Sequence, residues 1–166
     1  RSIYLLWDTG LLGVVVPELS SYLDDDGQDA PLTWGRLTAL DSRMSETGKL
    51  PPDAILLSVL FQGAAEEFME GARDLGVAFD AFFEDISQRF SVPRRLRERM
   101  RQVIAAQRRM RDGKAANLAR RDFFPEAAFV HGIDCIARGQ NAPEWAFDAS
   151  LFEGASRRRR RRPRRD

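Results

Sequence analysis

Eight of the last ten residues are arginine: Arg157, Arg158, Arg159, Arg160, Arg161, Arg162, Arg164 and Arg165, interrupted by Pro163 and closed by Asp166. A guanidinium is planar, stays charged at any physiological pH, and offers N–H donors in a fork that fits two phosphate oxygens at once. Such a cluster calls for a polyanion, because each phosphate it neutralises also releases condensed counterions. The stretch has no apolar side chain to bury and its like charges repel, so a disordered, solvated arm is expected. Nucleic acid is the first partner this suggests. An anionic membrane surface and an acidic protein compete with it.

A second basic set lies upstream: Arg94, Arg95, Arg97, Arg99, Arg101, Arg108, Arg109 and Arg111, followed by Lys114, Arg120 and Arg121. The formal net charge of +1 hides a strong partition. Residues 1–88 carry 5 basic and 16 acidic side chains, residues 89–121 carry 12 and 2, residues 122–156 carry 1 and 6, and the last ten residues carry 8 and 1. An acidic body, a basic belt and a basic arm form a footprint for a polyanion rather than a general solubility device. Of the 26 basic residues only Lys49 and Lys114 are lysine. A GC-rich genome would explain arginine over lysine, but not the clustering. Internal pairing with the acidic body is expected for about half of the belt, and phosphate contact for the rest. No aromatic residues interleave these arginines, so sequence-tolerant phosphate binding is expected without base stacking.

Three other groupings could in principle do chemistry. His131 precedes Cys135 by four residues, which places the only histidine and the only cysteine on one helical face. With no other soft ligand nearby, the pair reads as a buried thiol beside a core-edge imidazole. A single cysteine also excludes an intramolecular disulfide. Asp24, Asp25 and Asp26 could attract a divalent cation, but a solvated loop capping the neighbouring helix is the adopted reading. Glu66, Glu67 and Glu70 could pose as paired carboxylates, yet no polar pocket is implied around them, so an exposed acidic face is expected. There is no Gly-rich phosphate loop, no metal constellation, and no serine beside a base and an orienter. This chain is expected to bind rather than catalyse, with no cofactor of its own. No apolar run reaches the ~18–20 residues a bilayer span needs, and no signal peptide opens the sequence, so no membrane partner and a cytoplasmic location are expected.

These residues must be positioned by helices. With 43% hydrophobic residues in 166, the chain can bury a sizeable core. Ile3–Trp7 reads as helix, and Leu11–Leu23 as two short helices meeting at Pro17. Pro31 opens a helix reaching Gly48, and an apolar helix from Asp53 to about Gln62 should lie at the bundle centre. A short amphipathic piece from Glu66 to Asp74, ending at Gly76, precedes a helix marked by Val77, Phe79, Phe82, Phe83, Ile86 and Phe90. Arg94 to Arg111 is the long basic helix, with Leu96, Met100, Val103, Ile104, Gln107 and Met110 as its core stripe. Lys114–Arg121 is a short connector. Phe124-Pro125 begins a helix stopped by Gly139, and Pro143 to about Phe152 forms the last. Nothing alternates as a strand would. The expected fold is all-α, an irregular bundle of seven to nine short helices with a disordered Arg-rich tail.

Several segments occur in a recognisable order. Leu5-Leu6-Trp7-Asp8-Thr9-Gly10-Leu11-Leu12-Gly13-Val14-Val15-Val16-Pro17-Glu18-Leu19 is followed by Leu40-Asp41-Ser42-Arg43-Met44 and Leu50-Pro51-Pro52-Asp53-Ala54-Ile55-Leu56-Leu57-Ser58-Val59-Leu60-Phe61. Then come Phe90-Ser91-Val92-Pro93-Arg94-Arg95-Leu96, Gln107-Arg108-Arg109-Met110 and Phe123-Phe124-Pro125-Glu126-Ala127-Ala128. Together they resemble the C-terminal portion of bacterial class II nucleotidyltransferases, the poly(A) polymerases and tRNA CCA-adding enzymes. The Arg/Pro-rich end is similar to the poly(A) polymerases in particular. The resemblance implies a parent that uses ATP and Mg2+ to add AMP to RNA 3′ ends, marking transcripts for decay. It also implies a catalytic head, with a Gly-Ser nucleotide loop and an Asp-x-Asp metal site, preceding Arg1. No catalytic residue is carried over, because Asp24-Asp25-Asp26 is not that motif. The implied organisation is a helical body over 1–92, an RNA-binding basic helix and C-terminal helices over 93–156, and the tail over 157–166. The exposed apolar content of Leu5, Leu6, Trp7, Leu11, Leu12, Val14, Val15 and Val16 is expected to be buried by the head. Alternatives are the end of a CCA-adding enzyme, a stand-alone helical RNA-binding or adaptor module, and an interaction domain whose arm meets acidic proteins or a membrane.

Overall fold

Prolines and left-handed residues set most of the helix boundaries. The structure, a computed structural model, describes residues 2–24 and 30–148. The Arg157–Arg165 arm, Asp25 and Asp26 of the acidic loop, and any continuation of the last expected helix past 148 lie outside the described residues. The described residues are all-helical and contain no strand: α1 Ser2–Asp8, α2 Leu11–Val15, α3 Pro17–Asp24, α4 Ala30–Thr47, α5 Asp53–Phe68, α6 Leu75–Phe90, α7 Arg94–Arg111 and α8 Phe124–Ala137. Two 3-10 turns, Ala115–Leu118 and Glu144–Phe147, complete them. No described helix is long and apolar enough to cross a membrane.

Pro17 starts α3, a position where its missing N–H costs nothing. Pro52 and Pro93 stand at the N-caps of α5 and α7 in extended conformation, which keeps Pro51 and Val92 out of those helices. Asp74 caps α6 by accepting from the N–H groups of Gly76 and Val77 at 2.8 and 3.1 Å. At its other end Ser91 turns left-handed (φ 51°), and the Val92 N–H bonds back to the Ser87 carbonyl.

Three expectations change. Helix α5 runs on to Phe68, so Glu66 continues it and no separate piece spans Glu66–Asp74. Ala64, Ala65 and Met69 keep the buried stripe going there, and glutamates tolerate the solvent side of a helix. Gly76 is the second residue of α6 rather than a stop, because Asp74 caps the helix ahead of it. Within the described residues, the last expected helix is reduced to the Glu144–Phe147 turn.

Helix α5 is apolar on most faces and does lie at the centre: Ile55, Val59, Phe61 and Ala65 are buried. Its outer half joins a first core with Leu12, Leu19, Phe79, Phe83, Ile86, Met100 and Ile104. Phe83 stacks on Phe79 with ring centroids 4.6 Å apart and meets Phe61 edge-on at 5.2 Å. Gly63 lies against the Tyr22 ring, so a Cβ there would collide with the phenol. The other half of α5 joins a second core with Val103, Met110, Leu118, Ala127, Val130 and Ile133. Each such aliphatic side chain contributes about 1.5–3 kcal/mol on burial.

At the N-terminal side the chain covers part of its own apolar stretch. Leu12 and Val16 are buried, and Leu6 and Trp7 pack against the first core. Trp7 donates its indole N–H to Asp24 at 2.8 Å. Tyr4, Leu5, Leu11, Val14 and Val15 stay exposed.

Candidate nucleic-acid interface

Helix α7 separates its packing from its exposed charge. Met100, Val103, Ile104, Gln107 and Met110 are buried, and Leu96 is partly covered by the first core. The Gln107 amide donates to the Val103 carbonyl at 2.9 Å and to the Ala127 carbonyl at 3.1 Å, which ties α7 to α8 and fixes its rotation. Facing outward are Arg94, Arg95, Ala105, Arg108 and Arg109.

Five of the eleven belt cations have carboxylate partners. Arg97 approaches Asp80 at 3.9 Å, Arg101 holds Glu98 at 2.6 Å, and Lys114 reaches Asp112 at 3.7 Å. Arg99 meets Asp122 at 3.1 Å and Glu126 at 3.8 Å. Arg111 meets Glu66 at 2.9 Å and Asp134 at 3.7 Å. The hydrogen bond to Glu98 raises the Arg101 guanidinium further above its ordinary value. Arg94, Arg95, Arg108, Arg109, Arg120 and Arg121 are exposed and have no carboxylate partner among the described residues.

The unpaired set has a definite layout. Arg94 and Arg95 lie in the first turn of α7, Arg108 and Arg109 in its last, about 21 Å apart along the axis at 1.5 Å per residue. Arg120 and Arg121 directly precede Asp122, which Arg99 holds against the flank of the same helix. Arg94 and Arg95 also stand where a helix dipole disfavours cations; no acidic residue lies in that turn and no side chain caps it. That end of α7 is better satisfied by an anion from outside.

The structure also reveals a charge cluster that nothing in the sequence reading anticipated. Arg36 on α4 is 1% exposed and donates its Nε–H to Asp134 of α8, also 1% exposed, at 2.7 Å. Arg138 bonds the other Asp134 oxygen at 2.9 Å, and Arg111 brings a third guanidinium from α7. Burial alone would raise the Asp134 carboxyl, but the charges of Arg36 and Arg138 overcome it and hold it below the ordinary carboxylate value. Glu66 is therefore a partner of Arg111 rather than part of an exposed acidic face, with Gln62 donating to it at 3.5 Å. The available signal was an aspartate inside the apolar run Val130–Ile136 and an arginine on the stripe of Thr33 and Leu40.

His131 and Cys135 are both buried, with Sγ 3.6 Å from Nε2. Burial pushes the thiol up, reinforced by Asp134, and pushes the imidazole down, so the pair rests neutral rather than as a thiolate nucleophile. Trp145 stacks on the imidazole at 5.7 Å. Among the described residues no group of three His, Cys, Asp or Glu side chains could hold a metal ion.

No family model matches this chain, and neither a curated protein nor a solved structure matches it at a significant level.

Proposed function

We propose that this region binds RNA through its phosphates, as the RNA-holding part of a poly(A) polymerase that adds AMP from ATP to RNA 3′ ends in the cytoplasm. The observation that carries the RNA reading is the set of unpaired arginines, four on α7 and two at Arg120 and Arg121. Six guanidiniums remain exposed and without a carboxylate partner among the described residues. Unsatisfied, clustered arginine on a rigid helix suits a repeating anion such as a phosphate backbone. The Arg157–Arg165 arm adds to the same charge in sequence. The poly(A) polymerase assignment rests on the sequence resemblance. ATP and Mg2+ belong to the catalytic head it implies, and no residue here is assigned to them. The exposed Tyr4, Leu5, Leu11, Val14 and Val15 favour a neighbouring domain over a stand-alone module, since contiguous apolar surface of this kind is commonly a covered one.

Single-stranded RNA binding measured by fluorescence anisotropy across a salt series tests the reading. The wild-type affinity should fall steeply with salt. Arg94→Ala/Arg95→Ala/Arg108→Ala/Arg109→Ala should flatten that dependence while the thermal melt stays unchanged. Equal affinity for anionic vesicles and RNA, or an unchanged slope in the variant, would remove the ridge from the account.

A further inference from the structure

The apolar residues Phe79, Phe83, Ile86 and Phe90 recur along α6 at three- and four-residue spacing, but they are not buried to the helix end. Phe79, Phe83 and Ile86 are 0–2% exposed, whereas Phe90 is 46% exposed. Its ring stands at the corner between α6 and α7. There the left-handed Ser91 reverses the chain, and Pro93 starts the next helix. Arg94 follows Phe90 by four residues, so their Cα atoms are at most about 14 Å apart. Both Arg94 and Arg95 are exposed cations without carboxylate partners among the described residues. The Arg89 guanidinium lies over the Phe90 ring, 6.0 Å from its centroid. Arg89 is held by a forked bond to Glu18 at 2.9 and 3.1 Å and by the Val15 carbonyl at 3.3 Å, so this wall of the corner is fixed.

We propose that Phe90 is a stacking platform for one base of a single-stranded RNA whose neighbouring phosphates meet Arg94 and Arg95. The proposal rests on the RNA reading above and narrows it from phosphate binding in general to an unpaired strand. A half-exposed phenyl ring offers a π face and no hydrogen-bonding handle, so it accepts any base, in keeping with sequence-tolerant binding. Phosphates in a stacked strand recur every ~3.4 Å, so a base on Phe90 and phosphates at Arg94 and Arg95 fit within two to four nucleotides. A duplex keeps its bases stacked inside the helix and presents none to the ring.

The test measures the full 166-residue chain against three probes: a single-stranded oligonucleotide, the same oligonucleotide with abasic positions, and a duplex. Phe90→Ala should weaken binding to the intact single strand about tenfold. It should leave the slope of affinity against salt unchanged, because no phosphate contact is lost. Its effect should vanish on the abasic strand and on the duplex. Phe90→Trp should keep the affinity and show quenched fluorescence on binding, whereas Phe90→Leu, with apolar area but no π face, should behave like the alanine variant. Melting curves verify that each variant folds. Full affinity in Phe90→Ala or Phe90→Leu overturns the platform while leaving phosphate binding standing. Absence of salt-dependent binding by the wild-type chain overturns the RNA reading itself, and the platform with it.

Discussion

Two sets of arginines in this protein share a side chain and little else. Arg36, Arg111 and Arg138 converge from three helices on Asp134, with Glu66 completing the group. Arg94, Arg95, Arg108 and Arg109 project from a single helix and meet no carboxylate among the described residues. The first set is consumed by the fold and the second is left over from it. Clustering in sequence therefore says little about availability: Arg111 sits among the belt arginines yet belongs to the internal group. What separates the sets is whether a carboxylate lies within reach, from another helix for Arg36 and Arg111 and from the preceding turn for Arg138.

The comparison breaks most readily at Asp134. Asp134→Ala leaves Arg36 buried without its counter-charge, and should cost about 3–5 kcal/mol in chemical denaturation. A loss under 1 kcal/mol would mean that the internal set is dispensable and the distinction empty.

Acid unfolding sharpens the same side. His131 has a lowered folded pKa, so the unfolded chain takes up a proton first, and stability declines as pH falls below about 6.5. Asp134 and Glu18 also have lowered folded values; their contribution is fully present above the unfolded carboxylate range and is lost as pH falls through the folded ones. His131→Gln should remove the earlier decline and keep the later. A pH–stability profile identical to wild type would contradict the buried neutral imidazole.

On the other side, deleting Arg157–Asp166 should lower the log–log salt slope of single-stranded RNA binding by about five, at roughly 0.7 per phosphate contact. The four-arginine α7 variant should lower it by about three on the same arithmetic, with no change in melting temperature. A large loss of stability there would show that the ridge, too, serves the fold. The smallest effect belongs to the corner between α6 and α7: Ser91→Gly relieves a left-handed serine and should add up to ~1 kcal/mol in thermal melts.

The Arg94–Arg111 boundaries and the α2–α3 break at Pro17 were legible because prolines and a 3.6-residue stripe are local signals. The joining of Glu66 to α5 was not, because a charged pair on the solvent side looks like a helix start when the buried stripe beneath it is not traced through Ala64, Ala65 and Met69. Leu12 and Val16 read as surface needing a neighbour, but α3 turns back at Pro17 and lets this chain bury them itself. Phe90 marked the same helix as Phe79, Phe83 and Ile86 in sequence, and only the tertiary structure shows that it is left half uncovered.

By itself the sequence determined the all-helical class, the basic helix and its buried stripe, and the charge partition along the chain. All of these depend on residues within a few turns of one another. Tertiary structure alone decided which arginines are neutralised from another helix. Arg36 and Asp134 lie 98 positions apart and Arg111 and Glu66 lie 45 apart, yet each pair is bonded. Helical periodicity brings charges three or four residues apart together, but for pairs this distant only packing brings the two within about 4 Å.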